Sequence, residues 1–243
     1  MNPILNQMHG HRSIRAYTGE VMPEAELHAA LEAAQSAATS SNVQAYNTIR
    51  VTDPEMLAKL VVLTGGQEKV ALCGTFLVMC GDMRRHYLLA QSADSACEEN
   101  LESFLLCTID ASLFAQNLAL AAESLGWGTC FVGGLRNDLA AVGALLNLPQ
   151  GVYPFFGLCI GRAAEEPWKR PRLPMKAVLI ENEYPCDESM LAMMRSYDDD
   201  MAAYYKKRGA SGRRWIGQME QFFATPRRTG DRSFYESQGA SLE

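Results

Sequence analysis

The 243-residue chain lacks most of the signatures that assign chemistry directly. No GxGxxG follows its first strand-like run, so a Rossmann dinucleotide site has no support. No GxxxxGK[ST] is present, which excludes a P-loop. HExxH is absent, and His9 and His11 stand two apart with no cysteine or acid beside them, so no metal site is expected. No GxSxG occurs, and no Ser/His/Asp set stands out as a nucleophilic triad. No CxxC occurs among the seven cysteines, and their number is odd. Several, such as Cys80, Cys130 and Cys159, lie in apolar runs where free cysteine acts as a small hydrophobe. That usage suits a reducing cytoplasm rather than a disulfide framework. No continuous apolar run approaches the ~18 residues of a membrane span, and no basic-then-apolar signal segment opens the chain. Positive charge is in deficit: 22 Lys and Arg stand against 28 Asp and Glu, a net of -6. This balance argues against nucleic acid or an anionic membrane as the main partner. A chain without an evident nucleophile or acid–base pair often borrows a cofactor's chemistry.

What is present is ordinary globular composition, 48% hydrophobic and 21% charged. Pro23-Glu24-Ala25-Glu26 opens a helix that should run to about Ala38, broken by Thr39-Ser40-Ser41-Asn42. Residues 49–52 alternate like a strand, and Asp53-Pro54-Glu55 caps a helix ending near Thr64-Gly65-Gly66. Residues 76–80 read as a buried strand. The strongest helix signal runs from Thr108 to Leu125, apolar almost all round, which places it at the centre of the domain or in a subunit interface. Short β-like runs at 129–132 and 155–161 flank a helix capped by Asn137 or Asp138. A helix over 187–207 ends in Lys206, Lys207 and Arg208. The expectation is one α+β domain over 1–243, with a helical extension from about 187 to 243.

Basic residues gather in three places: Arg12 and Arg15; Lys169, Arg170 and Arg172; Arg208, Arg213 and Arg214. With His11 and Ser13, the first forms a compact set of donors suited to phosphate oxygens. The plainer reading is three solvated basic loops, and spacing alone does not decide whether they converge. Gly133-Gly134 after a buried run either allows close backbone approach to a ligand or makes a plain turn. Gly65-Gly66-Gln67 reads likewise as a helix stop carrying a side-chain amide.

Taken in order, His11-Arg12-Ser13-Ile14-Arg15, Leu63-Thr64-Gly65-Gly66-Gln67, Ala121-Ala122-Glu123-Ser124-Leu125-Gly126, Val132-Gly133-Gly134-Leu135-Arg136-Asn137, Pro171-Arg172-Leu173-Pro174, Tyr204-Tyr205 and Arg208-Gly209 resemble the FMN-dependent nitroreductase family. The similarity is to its branch of oxygen-insensitive NADPH nitroreductases and NADPH–flavin oxidoreductases, and it spans His11 to about Arg214. It implies an α+β fold with a small central mixed or antiparallel sheet surrounded by helices, and an intertwined homodimer with FMN at the interface. By the same resemblance, His11, Arg12, Ser13, Arg170 and Arg172 would hold the FMN phosphate. Arg15 would face the pyrimidine edge of the flavin, and Gln67 the ribityl chain or ring. The backbone of Val132, Gly133, Gly134 and Leu135 would approach the ring, with the Gly134 N–H near N5. Ser40, Ser41 and Gln44 would come from the other subunit, and Arg208 and Arg213 would select NADPH. The implied activity is two-electron, ping-pong reduction of nitroaromatics and quinones. The alternatives are an NADPH–flavin reductase releasing reduced FMN, or a flavin-binding redox sensor without turnover. The chain departs from the family pattern at Arg170 (for Lys), at Thr39 in a serine run, at Phe131 (for Tyr) and in a small insertion between 90 and 107.

Overall fold

In the computed structural model, which describes residues 2–98 and 100–242, the longest element begins well before the apolar run that marks it. Asn100 accepts the Ser103 N–H and Ser103 Oγ accepts the Asn100 N–H, a capping box that starts the helix at Leu101. In chain order the elements are α1 (Pro3–Gly10), α2 (Glu24–Ala34), β1 (Tyr46–Val51), α3 (Pro54–Leu63), α4 (Lys69–Leu72), β2 (Thr75–Asp82), α5 (Arg84–Ser92) and α6 (Leu101–Ser124). Then follow β3 (Gly128–Val132), α7 (Leu139–Leu145), β4 (Val152–Gly161), α8 (Asp187–Lys207), α9 (Trp215–Phe223) and α10 (Asp231–Ser237). Short 3₁₀ turns stand at Ser40–Asn42, Gly133–Asn137 and Met175–Ala177.

The four strands make one antiparallel sheet in the order β1-β2-β4-β3. All eight residues of β2 are buried because both faces of the sheet are covered. Leu77 and Met79 join the cluster containing Leu27, Ala30, Phe114 and Leu118 from α2 and α6. Phe76, Val78 and Cys80 join Leu60, Val70 and Val142 from α3, α4 and α7. The α+β architecture expected from the sequence is what the chain adopts, and its sheet is wholly antiparallel.

Two expectations need correction. The first helix ends at Ala34 rather than Ala38, because residues 35–37 turn out of it towards the loop at Thr39. The long helix is not buried on all sides within one chain. Leu105, Ile109 and Leu113 follow at i, i+4 and i+8 and are 43%, 52% and 42% exposed. By length and composition α6 is also, among the described residues, the one helix apolar enough to cross a membrane, yet its opposite face is core.

The chain divides into two compact units. The first holds residues up to Pro167 together with Arg228–Glu243, so the chain returns to it after leaving. The second is Trp168–Arg227, where α8 packs on α9 around Tyr197, Met201, Tyr204, Tyr205 and Trp215. All seven cysteines are free thiols.

Candidate functional site

The segment around Ser13 and Ile14 lies along β3, an edge strand of the sheet. Ser13 bridges Thr129 of β3 in parallel, and the Ile14 N–H donates to the Thr129 carbonyl at 2.9 Å. A Cβ on Gly128 would stand 2.6 Å from Ile14 Cγ1, so this approach requires glycine there. Tyr17 closes the turn: its hydroxyl donates to the Ile14 carbonyl at 2.8 Å, and burial pushes its phenol pKa up, keeping that donor proton. The result is a cationic segment with Arg12 and Arg15 exposed beside β3.

Acidic partners hold this segment in shape. His11 Nδ1 meets Glu123 Oε1 at 2.7 Å, and the Thr129 hydroxyl donates to the same oxygen at 2.6 Å. Glu165 Oε1 accepts the N–H groups of Arg15 and Ala16 at 2.6 and 3.1 Å. Arg12 pairs with Glu166 at 3.1 Å, and Arg15 Nη1 donates to the Ser13 carbonyl at 3.1 Å.

Three steps along β3 from Thr129 to Val132 cover about 10 Å. The strand then runs into Gly133 and Gly134. Val132 and Leu135 are buried, so there only the backbone is on offer. A Cβ on Gly134 would sit 2.2 Å from Gln67 Nε2 and 2.6 Å from the Thr64 carbonyl oxygen. Gln67 Nε2 itself donates to that carbonyl at 2.7 Å, and Lys69 donates to Gln67 Oε1. Thus the first unit brings Ser13, Arg15, Gln67, Gly133 and Gly134 to the two ends and flank of one edge strand.

Ser40, Ser41 and Gln44 lie elsewhere, just before β1, with two strands between β1 and β3. At ~4.8 Å per strand spacing, the two edge strands are about 14 Å apart. Their loop is unusual: Ser41, Asn42 and Gln44 have φ of 48°, 58° and 53°, left-handed values that side chains disfavour. A buried carboxylate maintains it. Asp110 Oδ2 accepts the Thr39 hydroxyl at 2.6 Å and the Ala45 N–H at 3.0 Å, while Thr39 Oγ1 accepts the Gln44 N–H at 2.9 Å.

The remaining basic residues belong to the second unit. Arg172 Nη1 donates to the Arg170 carbonyl at 3.2 Å, and the Tyr197 hydroxyl donates to the intervening Pro171 carbonyl at 3.1 Å. Arg208 donates to the Tyr204 hydroxyl at 3.2 Å, and Arg213 lies over the Tyr205 ring, 5.1 Å from its centroid.

Sequence reading missed Asp110, Glu123 and Glu165, all partners rather than donors. Asp110 did carry a signal, a lone acid inside Leu105–Phe114, where an unpaired charge is costly. Glu165 carried none, since its partners are about 150 residues away.

An antiparallel four-stranded sheet enclosed by helices, with a cationic segment and a glycine pair along one edge strand, defines an α+β class built around an edge-strand site. Residues 8–162 match the Nitroreductase family, and residues 170–243 match the Nitroreductase family, C-terminal domain. The chain belongs to the nitroreductase family. It is 39% identical to FMN reductase (NADPH) of Bacillus subtilis, covering 98% of both chains. It is 43% identical to oxygen-insensitive NADPH nitroreductase of Salmonella typhimurium, over 88% of this chain and 87% of that one. The solved structure of the NfrA1 nitroreductase from B. subtilis superposes with a TM-score of 0.94 at 38% identity, covering 98% of each chain.

Proposed function

We propose that the protein is an FMN-dependent NADPH oxidoreductase that reduces nitroaromatics and quinones by two-electron ping-pong transfer. The carrying observation is the edge of β3: exposed cations at Arg12 and Arg15 at one part, and at its end a glycine pair beside the Gln67 amide. The donor set fits FMN. Guanidinium forks and a serine hydroxyl suit a phosphate, and about 10 Å of strand separates that region from the glycines, more than a lone anion needs. The names of the relatives, which state FMN, NADPH and nitroreductase activity, support the same reading.

When bound, FMN supplies the hydride and electron chemistry. His11, Arg12, Ser13, Arg170 and Arg172 would hold its phosphate, with Glu123 orienting His11. Arg15 would supply positive charge to the flavin ring and stabilise its reduced, anionic form. Gln67 and the backbone of Val132 to Leu135, the Gly134 N–H among it, would hold the flavin ring. Arg208 and Arg213 bind the 2′-phosphate of NADPH. No side chain acts as a nucleophile.

The site is completed by a second copy of the chain, which contributes Ser40, Ser41 and Gln44. Two features support this homodimer. The loop at 40–44 is built with left-handed backbone at the edge opposite β3, and Leu105, Ile109 and Leu113 leave an apolar stripe on α6. Both units then act as one nitroreductase domain, and the free thiols support a reducing compartment such as the cytoplasm.

The test is spectroscopic. The purified protein should be yellow, bleach with NADPH, and recover its colour with nitrofurazone or a benzoquinone. A second reading is favoured by the FMN reductase name among its relatives: release of reduced FMN. Turnover only with excess free FMN, and failure with quinones, would establish that instead. A flavin that neither nicotinamide reduces would exclude both and leave a sensor.

A further inference from the structure

Arg213 and Arg214 are consecutive but have opposite surroundings. Arg214 pairs with two carboxylates, its Nε donating to Asp198 Oδ2 at 2.5 Å and its Nη2 to Asp199. Asp198 is 3% exposed, and its Oδ1 also accepts the Ile216 N–H, at 2.9 Å, in the first turn of α9. One buried carboxylate therefore ties α8, the basic loop and the start of α9 together.

Arg213 lies over Tyr205, and its Nε donates to Gln218 Oε1 at 3.0 Å. The Gln218 amide has its orientation imposed. Its Nε2 donates to the Arg214 carbonyl at 2.8 Å, a bond only the NH₂ end can make, which leaves Oε1 for Arg213. The Tyr205 hydroxyl stands 2.9 Å from Nε2 and braces the same amide. A free arginine loses much rotamer freedom on gripping an anion; one already held loses less, and binds more tightly for it.

We propose that Gln218 is the positioning residue for Arg213, on a loop anchored by Asp198 and Arg214, and that it thereby sets discrimination between nicotinamide dinucleotides with and without a 2′-phosphate. This rests on the reading of Arg213 as a contact to that phosphate. The guanidinium is held by Gln218 Oε1 before the ligand arrives, and Tyr205 supplies its floor.

The experiment compares Gln218→Leu, Tyr205→Phe, Arg213→Ala and the Gln218→Leu/Arg213→Ala double variant in the FMN-loaded protein. Two quantities are read: the ratio of kcat/KM for NADPH over NADH, and by calorimetry the ratio of Kd for 5′-AMP over adenosine 2′,5′-bisphosphate. Gln218→Leu should lower both ratios about three- to tenfold with the NADH kinetics unchanged, the range expected for un-fixing one arginine. Tyr205→Phe should do the same to a smaller extent. Arg213→Ala should lower both ratios further, and the double variant should match Arg213→Ala alone, because Gln218 acts only through Arg213. Unchanged ratios in Gln218→Leu beside a collapse in Arg213→Ala would overturn the proposal and leave the NADPH reading standing. So would a Gln218→Leu effect that adds in full on the Arg213→Ala background. Unchanged ratios in Arg213→Ala would overturn the reading itself, and the proposal with it.

Discussion

Replacing Gly134 by alanine would set a methyl carbon 2.2 Å from Gln67 Nε2 and 2.6 Å from the Thr64 carbonyl oxygen. Neither neighbour yields easily. Thr64 is buried at the end of α3, and Gln67 is held by the Thr64 carbonyl on one side and Lys69 on the other. Overpacking against side chains costs about 1–3 kcal/mol, and a conflict with backbone belongs at the upper end, about 3 kcal/mol. For a chain of this size that corresponds to a melting temperature lower by roughly 6–12 °C. The neighbouring residue is the control. A Cβ on Gly133 would meet nothing nearer than Arg136 Nη2 at 3.6 Å, an ordinary contact. Gly133→Ala should therefore stay within about 1 kcal/mol of the parent, and the lost chain entropy of glycine offsets part of any strain. Thermal melts of both FMN-free variants, followed by FMN titration, make the comparison. Gly134→Ala should melt lower and bind FMN more weakly, because Gln67 is displaced with it. Equal melting temperatures for the two alanine variants would refute the steric argument.

Asp110→Ala strips the buried Ala45 N–H and the Thr39 hydroxyl of their acceptor, so it should cost about 2 kcal/mol in denaturant melts and weaken FMN binding. Asp110→Asn, which keeps one oxygen, should cost less. Arg15→Ala should slow flavin reduction by NADPH in stopped flow while FMN occupancy is retained; an unchanged rate at full occupancy would remove its electronic role. Burial raises the Asp198 carboxyl, but the N–H groups at the start of α9 and the Arg214 guanidinium outweigh it and hold its pKa below the ordinary aspartate value. Because the folded pKa is the lower one, its stabilisation is fully present above the unfolded value of about 4 and is lost as pH falls through the folded pKa. Acid melts below about pH 4 should accordingly be shallower for Asp198→Asn than for the parent.

Local signals were sufficient for several elements. The helix over 187–207 coincides with α8, whose first turn is acidic and whose last is basic. Asp53 caps α3 through the Met56 N–H, as a capping aspartate before proline should. At α6 the same logic places the start near Thr108, whereas the helix begins at Leu101. Asn100 and Ser103 cap the helix instead, and Phe104, Leu105, Leu106 and Cys107 already belong to its apolar run. The amphipathic α9 and the short α1, α4, α5 and α10 offered little periodicity over so few residues.

For the candidate site the division is sharper. The resemblance carried by motifs in order along the chain nominated a cofactor with an anionic end, whereas residue chemistry by itself left the basic clusters open between a ligand site and solvated loops. The sequence by itself also determined that the chain holds no GxSxG and no GxxxxGK[ST] motif. Only the tertiary structure decided that Ser13 lies against Thr129, that Gly134 leaves room for Gln67 and nothing more, and that Glu165 caps the Arg15 backbone. The reason is physical: such contacts depend on strand order and on distances of a few ångströms between residues tens to hundreds of positions apart. Arg213 and Arg214 carry the lesson most plainly. They are identical in chemistry and adjacent in sequence, and only the packing of α8 on α9 pairs one with Asp198 and lays the other over Tyr205.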